Sequence, residues 1–303
     1  MRLFTTMLVA GVLALGIGNV RADPVQDMLQ FYRQHALKEK DELSRCLVLL
    51  RSRLATDSRT RTDEAMRRSG CFDDFSGLVG VPRLTQGGDT IPDGPTVSLK
   101  LIETTLVMRI REFDADLPDN LKTALGEFTP AQLRNVQTVL VDLLSDPGGR
   151  IRVGRKVLEA FAPQQGVAYM EAVSRCDDVP NSQVTEATGV LGNKRYLVLV
   201  NGATASMAEW FTATLRYVWY PSSTTVIGVG SSRTFGKAIM QLADADNTVK
   251  VTCGSWTVPG HDIQGSGIPA DVVLMHPREC GRDYRCALEE IAPLLTSTVV
   301  GKK

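Results

Sequence analysis

A serine stands at the junction between two apolar stretches, and serine is one of the side chains that can form covalent intermediates. The stretch NGATASMAEWF (201–211) ends a strand-like run and opens a run with helical spacing that begins near Ser206. A helix N-terminus offers free N–H groups and a partial positive charge, which suit an oxyanion. Ser206 and Glu209 also form S-x-x-E, a capping-box pattern, and this stretch alone favours a structural cap. The stretch is not G-x-S-x-G, and a serine nucleophile needs a base.

A lysine in the stretch GSSRTFGKAIMQ (230–241) is a candidate for that base. The stretch is not a phosphate loop, because Ser231 stands where the first glycine is required and Ala238 follows Lys237 where Ser or Thr is required. Desolvation in a tight, partly apolar turn lowers the pKa of a lysine, and the neutral amine can take a proton from a hydroxyl. Gln241 lies four residues further on, so on a helical turn it would share a face with Lys237 and orient it. The alternative is a solvated surface lysine.

Two glycines follow a third apolar run, VLVDLLSDPGGR (139–150). Gly148 and Gly149 would let the backbone approach a ligand closely and point N–H groups at it. Taken alone, the same four residues DPGG are also typical of an ordinary turn.

In order and content, these stretches resemble the motifs of the carboxyl-terminal processing, or tail-specific, serine peptidases. DLLSDPGG is similar to the family's D-L-R-x-N-P-G-G, VLVNGATASMAE to V-N-x-x-S-A-S-A-S-E, and GSSRTFGKAIMQ to G-x-x-T-F-G-K-x-x-x-Q. SWTVPGHDIQGSGIPAD (255–271) is similar to the closing signature Y-Y-T-P-x-G-x-x-I-Q-G-x-G-I-x-P-D. The resemblance covers roughly residues 100–275 and rests on four motifs in the same order, each weak by itself.

The resemblance implies a role for each residue that matches a family motif. Ser206 corresponds to the nucleophile, Lys237 to the general base and Gln241 to the residue that supports the lysine. The implied oxyanion donors are the backbone N–H groups of Gly148, Gly149 and Met207. Such a Ser–Lys dyad needs no histidine, and the resemblance implies neither a metal nor another cofactor. The implied fold is α/β, with a crotonase/ClpP-like catalytic core.

The sequence departs from the family pattern in several places. Leu144 replaces the usual Arg and Asp146 the usual Asn, so the loop after the strand is expected to hold substrate differently. Thr204 and Ala208 replace the flanking serines, which is expected to change little. Residues 23–97 contain no PDZ-like segment, so the chain is interpreted as a PDZ-lacking variant without strict specificity for substrate C-termini.

The elements that must position these residues alternate between strand and helix after residue 97. Such alternation implies crossover connections and an α/β domain, here assigned to residues 98–303. The predicted strands are 104–113, 136–144, 195–202, 223–230 and 249–258, and the predicted helices are 117–129, 152–162, 206–220 and 283–295. In the helix that starts at Ser206, the residues predicted to share a buried face are Met207, Trp210, Phe211, Leu215 and Val218.

The segment before residue 97 has a different pattern. Residues 24–56 lack Gly and, after Pro24, lack Pro, and their apolar spacing predicts one or two amphipathic helices. Residues 57–70 predict a loop or a short solvated helix, and the many Gly and Pro residues in 77–97 predict a linker. Residues 23–97 are therefore predicted to form a small, mainly helical N-terminal region.

The N-terminus predicts export. A short positive start and an apolar run are followed by small residues, so residues 1–22 are interpreted as a secretory signal peptide cut after Ala22. An uncleaved anchor is the alternative, but the run is short for a spanning helix. No later segment is long and apolar enough to span a bilayer. The mature protein is therefore expected to be periplasmic or secreted.

The chain has six cysteines, all after the predicted cleavage site. An even number in an exported chain predicts disulfides, and nearness in sequence favours Cys46 with Cys71 and Cys280 with Cys286 among the 15 pairings that six cysteines allow. The absence of C-x-x-C spacing and of a histidine cluster gives little support to a zinc site.

Together these features predict an exported serine endopeptidase that hydrolyses protein or peptide substrates. One alternative is a catalytically silent relative that binds a peptide or apolar ligand in the same cleft. A weaker one is a helical adaptor whose enzyme-like domain assembles a complex. The sequence also leaves open whether the protein forms a homo-oligomer.

The 34 basic and 34 acidic residues balance to a net charge of zero, so no global electrostatic argument favours nucleic acid or an anionic membrane.

Overall fold

The computed structural model describes residues 24–36, 38, 40–69, 71–72, 77–78, 95–166, 172–174, 189–243, 249–258, 260–274 and 289–292. The predicted signal peptide, most of the predicted linker and the predicted Cys280–Cys286 pair lie outside these residues. Within the described ranges, no helix combines the length and the apolar character needed to cross a membrane.

Helices and strands alternate along most of the described chain. The helices are α1 (Pro24–His35), α2 (Lys40–Thr56), α3 (Arg59–Arg68), α4 (Leu117–Gly126), α5 (Pro130–Asn135), α6 (Ile151–Glu159) and α7 (Met207–Ala213), and a π-helix covers Thr214–Trp219. The strands are β1 (Gly77–Leu78), β2 (Val97–Ile102), β3 (Thr105–Ile110), β4 (Thr138–Asp142), β5 (Ala172–Ser174), β6 (Arg195–Val200), β7 (Thr224–Val229), β8 (Ile239–Ala243), β9 (Val249–Trp256) and β10 (Val272–Leu274).

Six strands form the main sheet, in the order β10-β7-β6-β4-β3-β2. Only β2 runs antiparallel to its neighbour; the other four pairings are parallel. The central strands β4 and β6 are almost wholly buried, as expected for strands covered on both faces. This architecture confirms the predicted α/β class.

The N-terminal helices pack on a second, smaller sheet in which β9 pairs with β1, β5 and β8. Side chains from α1, α2 and α3 share a buried cluster with Val249 and Val251 of β9. The predicted small helical region is confirmed, and residues 57–70 contain α3. Cys46 and Cys71, 25 residues apart, form the predicted disulfide; closing a loop of that length stabilises the fold by about 3 kcal/mol in the chain-entropy model. Cys253 is also disulfide-bonded.

The parallel strands place three loops at one edge of the main sheet. β6 lies between β4 and β7 and runs parallel to both, so the carboxyl ends of the three strands meet there. Ligand sites of open α/β sheets lie outside this edge. The loop after β4 carries the two glycines, the loop after β6 carries Ser206, and the loop after β7 carries Lys237.

Two local predictions were wrong. The helix predicted for 206–220 changes to a π-helix at Thr214, and the wider turn rotates Val218 outward, where it is 37% exposed. The neighbouring Trp219 is buried in its place. The helical turn assumed between Lys237 and Gln241 is absent because β8 begins at Ile239 and pairs with β9.

Candidate active site

Ser206 lies on a strained turn between β6 and α7. Its backbone has φ 57° and ψ −117°, whereas an ordinary N-cap residue is in the β region. Non-glycine residues seldom adopt such angles, and the few that do are concentrated at functional sites. The flanking Ala205 and Met207 are buried while Ser206 is partly exposed. A sharp strand-to-helix turn of this kind is one way in which enzymes expose a nucleophilic serine.

The carboxylate of Glu209 joins the Ser206 turn to the Lys237 loop. Its Oε2 accepts the N–H of Ser206 at 2.9 Å and the N–H of Lys237 at 2.7 Å. Its Oε1 accepts the N–H of Gly236 at 2.7 Å and the hydroxyl of Thr234. The Ser206–Glu209 contact is the one that the S-x-x-E pattern predicts. The contacts to residues 234–237 were not predicted, and they give Glu209 a second role.

Glu209 is completely buried, and its environment is unusual for a carboxylate. Burial raises the pKa of Glu209, and the hydrogen bonds from Thr234, Gly236, Lys237 and Ser206 oppose that rise. All four partners donate, so the arrangement matches an ionised carboxylate better than a protonated one. One buried acceptor thus sets the relative position of the two loops that carry the predicted dyad.

The Gly148–Gly149 turn packs directly against the Ser206 turn. Gly148 has φ +95°, and a Cβ placed there would lie 2.6 Å from the Met207 nitrogen and 2.7 Å from Ser206 Cβ. Gly149 has φ +141°, and a Cβ there would lie 2.4 Å from the carbonyl oxygen of Phe113. Both positions therefore require glycine, for backbone conformation and for space.

The residues predicted to be oxyanion donors lie close together, but one of their N–H groups already donates a hydrogen bond within the protein. The N–H of Gly148 donates to Asp146 Oδ1 at 2.7 Å. Met207 is the first residue of α7, so its N–H has no acceptor within the helix. The Gly148–Gly149 turn and the start of α7 are in contact, which is the placement an oxyanion site would need. Their role as oxyanion donors stays a prediction.

The Lys237 loop is held on both sides by backbone contacts. The N–H of Phe235 donates to the carbonyl of Thr204 at 2.9 Å, two residues before Ser206. On the other side, the N–H of Ala238 donates to Gln264 Oε1 at 2.8 Å. Lys237 is half-buried between these anchors. Gln264 was not singled out from the sequence, although its stretch IQGSG belongs to the closing motif.

The backbone of Gln241 lies in a strand and not in the helical turn that was assumed. Its backbone is part of β8 and pairs with Thr252 of β9, with an irregular register between Met240 and Gln241. The side chain of Gln241 lies outside what the structure describes. Its proposed support of Lys237 therefore stays a prediction.

The arrangement suits acyl transfer. It combines a strained, partly exposed serine, a half-buried lysine held on the adjacent loop, and backbone N–H groups beside the serine. No group of His, Cys, Asp and Glu side chains within the described ranges could hold a metal ion.

The contact between Gly148 and Ser206 gives a testable prediction. Gly148→Ala would place a methyl group against the backbone of Ala205 and Met207, so the Ser206 turn must shift. A shift of about 1 Å costs roughly 10²-fold in rate, and we expect a loss of at least that size in peptide hydrolysis. Gly230→Ala is the matched control, because Gly230 also has positive φ (+65°) but has nothing within 4 Å of an added Cβ. Equal activity in the two variants would show that the packing against Ser206 does not matter.

Comparisons with known proteins agree with this geometry. The sequence profile described as peptidase family S41 matches residues 104–274, more than half of the chain. No curated protein sequence matches the chain significantly.

Two of the solved structures that align with this chain have TM-scores above 0.5 and share its fold. A lipoprotein from Streptococcus agalactiae aligns with a TM-score of 0.57 and 13% identity, over 90% of this chain and 95% of its own. A protein described as an S41 protease from Bacteroides fragilis aligns with a TM-score of 0.51 and 14% identity, over 70% of this chain and 60% of its own. A photosystem II D1 C-terminal processing protease aligns with a TM-score of 0.48 and 21% identity, over 61% of this chain. This chain spans only 46% of that protease's length.

Proposed function

Because this chain belongs to peptidase family S41, as its motifs predicted, we propose that it is a serine endopeptidase that works through Ser206 and Lys237. The observation that carries the proposal is the Glu209 carboxylate, whose Oε2 accepts the N–H groups of both residues. The two loops are far apart in sequence, and this one atom ties them together.

The first half of the reaction is acylation. Lys237, as a neutral amine, takes the proton from Ser206 Oγ, and the oxygen attacks the carbonyl carbon of the scissile peptide bond. The carbonyl oxygen becomes negatively charged and is stabilised by backbone N–H groups at Met207 and at the Gly148–Gly149 turn. Lys237 then gives its proton to the leaving nitrogen, the C–N bond breaks, and the N-terminal part of the substrate stays on Ser206 as an ester.

The second half is deacylation. A water molecule gives a proton to Lys237 and attacks the ester carbonyl. The bond to Ser206 breaks, Ser206 recovers its proton from Lys237, and the N-terminal product leaves as a carboxylic acid. Gln241 is proposed to orient the amine through both halves.

The substrate is proposed to be an unfolded or extended segment of protein. The loop after β4 carries Leu144 in place of the family's Arg, which would change how that segment is held, whereas Asp146, in place of the Asn, is completely buried. Without a PDZ-like segment in residues 23–97, recognition is proposed not to depend on the substrate's C-terminus.

Export is proposed from the N-terminal sequence. The protein would lose residues 1–22 on passage through a membrane and act in the periplasm or outside the cell. The Cys46–Cys71 disulfide is compatible with an oxidising compartment.

The experiment that tests this function uses the chain from residue 23 onward, purified and incubated with an unfolded polypeptide. We expect internal cleavage, detected as new product masses, with no added metal or nucleotide. Binding of the polypeptide without any cleavage would favour the catalytically silent alternative.

A further inference from the structure

Asp146 is a carboxylic acid enclosed in the turn beside Ser206. The residue is completely buried between β4 and the two glycines. Its Oδ1 accepts the N–H of Gly148 at 2.7 Å. Its Oδ2 is buried and has no hydrogen-bond partner among the described residues. An ionised carboxylate with one buried, unpartnered oxygen is costly, and a neutral carboxyl costs much less.

The charged groups around Asp146 add to this cost. Burial raises the pKa of Asp146 well above its ordinary value, the Gly148 N–H opposes the rise, and the carboxylates of Glu112 and Asp142 increase it. Arg109 lies 3.6 Å from Asp142 and forms its ion pair there. The charged groups of α7 and of the loop after β7 are Glu209, which accepts from four donors, Lys237, and Arg233, whose guanidinium donates to the Ser266 carbonyl at 3.0 Å.

Asp146 is connected to the Ser206 turn through its side chain and through its main-chain carbonyl. Its side chain accepts the N–H of Gly148, where an added Cβ would lie 2.7 Å from Ser206 Cβ. Its main-chain carbonyl accepts the N–H of Ala205, the residue before Ser206, at 2.9 Å. If the carboxyl ionises and turns toward water, both contacts are disturbed.

We propose that Asp146 is a positioning residue whose carboxyl must carry a proton for the Gly148–Gly149 turn to hold its place beside Ser206. Its consequence for catalysis rests on the proposed peptidase function. When Asp146 ionises, the turn is disturbed and a negative charge stands beside the oxygen that becomes negative in the transition state. Acylation of Ser206 then slows. An Asn at this position would hold the turn without any dependence on pH.

The sign of the stability effect follows from the raised pKa. The folded protein keeps the proton on Asp146 to a higher pH than the unfolded chain does. The stabilisation is therefore complete below the unfolded pKa of about 3.9 and is lost as pH rises through the folded pKa. An asparagine at position 146 does not ionise, so Asp146→Asn does not lose stability in this way. The melting temperature of the variant minus that of the natural protein should therefore increase with pH.

The test compares the natural chain with Asp146→Asn by three measurements. The first is the rate at which a fluorophosphonate, a serine-directed reagent, labels Ser206 between about pH 5 and 9. In both proteins the labelling rate should rise with pH as Lys237 loses its proton. Only in the natural chain should the rate fall again at higher pH, as Asp146 ionises. The ratio of the variant's rate to the natural rate should therefore grow about tenfold per pH unit above the Asp146 pKa. The second is the melting temperature over the same range. The third is the infrared carbonyl band of a protonated carboxyl, expected in the natural chain at pH values where an ordinary aspartate is already ionised, and missing from the variant.

The control is Asp142→Asn, because Asp142 is a buried carboxylate at the end of β4, four residues before Asp146, and has Arg109 and the Leu144 N–H as partners. The Asp142→Asn variant should keep the declining limb and the infrared band, with the limb moved to lower pH because the Asp142 carboxylate no longer opposes ionisation of Asp146. The proposal would be overturned if Asp146→Asn and the natural chain had the same pH profile of labelling, a constant difference in melting temperature across the pH range, and the same infrared band. If neither protein is labelled at any pH, the peptidase function fails, and the infrared band and melting curves still decide whether Asp146 carries the proton that holds the turn.

Discussion

Replacing Ser206 with alanine should lower the rate of polypeptide cleavage by about 10⁴-fold or more, because removing a nucleophile removes the covalent route altogether. The change should cost at most about 1 kcal/mol, the value of an N-cap hydroxyl, because Ser206 is partly exposed and its N–H contact to Glu209 is kept. The measurement is the initial rate of cleavage of an unfolded polypeptide, with the melting temperature as a check on folding. Ser231→Ala is the matched control, because that serine lies on the neighbouring loop and its hydroxyl bonds only to the backbone of Arg233, donating to the carbonyl and accepting the N–H.

Lys237 gives the second part of this prediction, and two substitutions separate its charge from its basicity. Lys237→Ala removes both, whereas Lys237→Arg keeps a positive charge that cannot be deprotonated in a protein. If Lys237 is the general base, arginine should be as inactive as alanine. Substantial activity in Lys237→Arg would mean that the residue acts only through its charge, and unchanged cleavage by Ser206→Ala would rule out the nucleophile.

Replacing Glu209 should have the largest effect on stability and a large effect on activity. Glu209→Ala leaves the Thr234 hydroxyl and three buried or half-buried N–H groups without their acceptor. An unsatisfied buried donor costs about 1–3 kcal/mol, so the free energy of unfolding should fall by at least about 3 kcal/mol. Activity should fall as well, because the Ser206 turn and the Lys237 loop lose their common anchor. Urea unfolding and the cleavage rate measure the two effects.

Glu209→Gln is the more informative variant because it keeps the shape. A glutamine has one acceptor oxygen, and its amide nitrogen must face a donor in either orientation: Gly236 N–H on one side, or Ser206 and Lys237 N–H on the other. It should therefore also be destabilised and impaired. The control is Glu127→Gln at an exposed position after α4, which should change stability by less than about 0.5 kcal/mol. A fully stable and active Glu209→Gln would show that the carboxylate is not the anchor.

The sequence predicted the parts of the fold that local patterns determine. The alternation of apolar runs and helical spacing predicted the α/β domain, because strand and helix periods differ. The strand β8 was missed because it is short and because the four-residue spacing between Lys237 and Gln241, which lies inside the strand, suggested a helical turn. Val218 was wrongly placed because a π-helix cannot be recognised from a 3.6-residue period.

The site shows the same division between local and distant information. S-x-x-E predicted the contact of Glu209 with Ser206, three residues away, but nothing local connects Glu209 with Gly236 and Lys237, which are more than 25 residues further along the chain. That connection exists because β6 and β7 are adjacent parallel strands whose loops leave the sheet at one edge. Asp146 appeared in the sequence only as a departure from a motif; its complete burial and its unpartnered oxygen needed the fold.

The most direct test of the Ser206–Lys237 dyad is the site of labelling by a fluorophosphonate, which reacts with a serine only when the hydroxyl is activated. The labelled protein is digested and the modified residue is located by mass spectrometry, for the natural chain, Lys237→Arg and Ser231→Ala. The dyad predicts a label on Ser206 in the natural chain and in Ser231→Ala, and none in Lys237→Arg. A natural chain that cleaves polypeptide while Ser206 stays unmodified, or a Lys237→Arg variant labelled as fast as the natural chain, would contradict it.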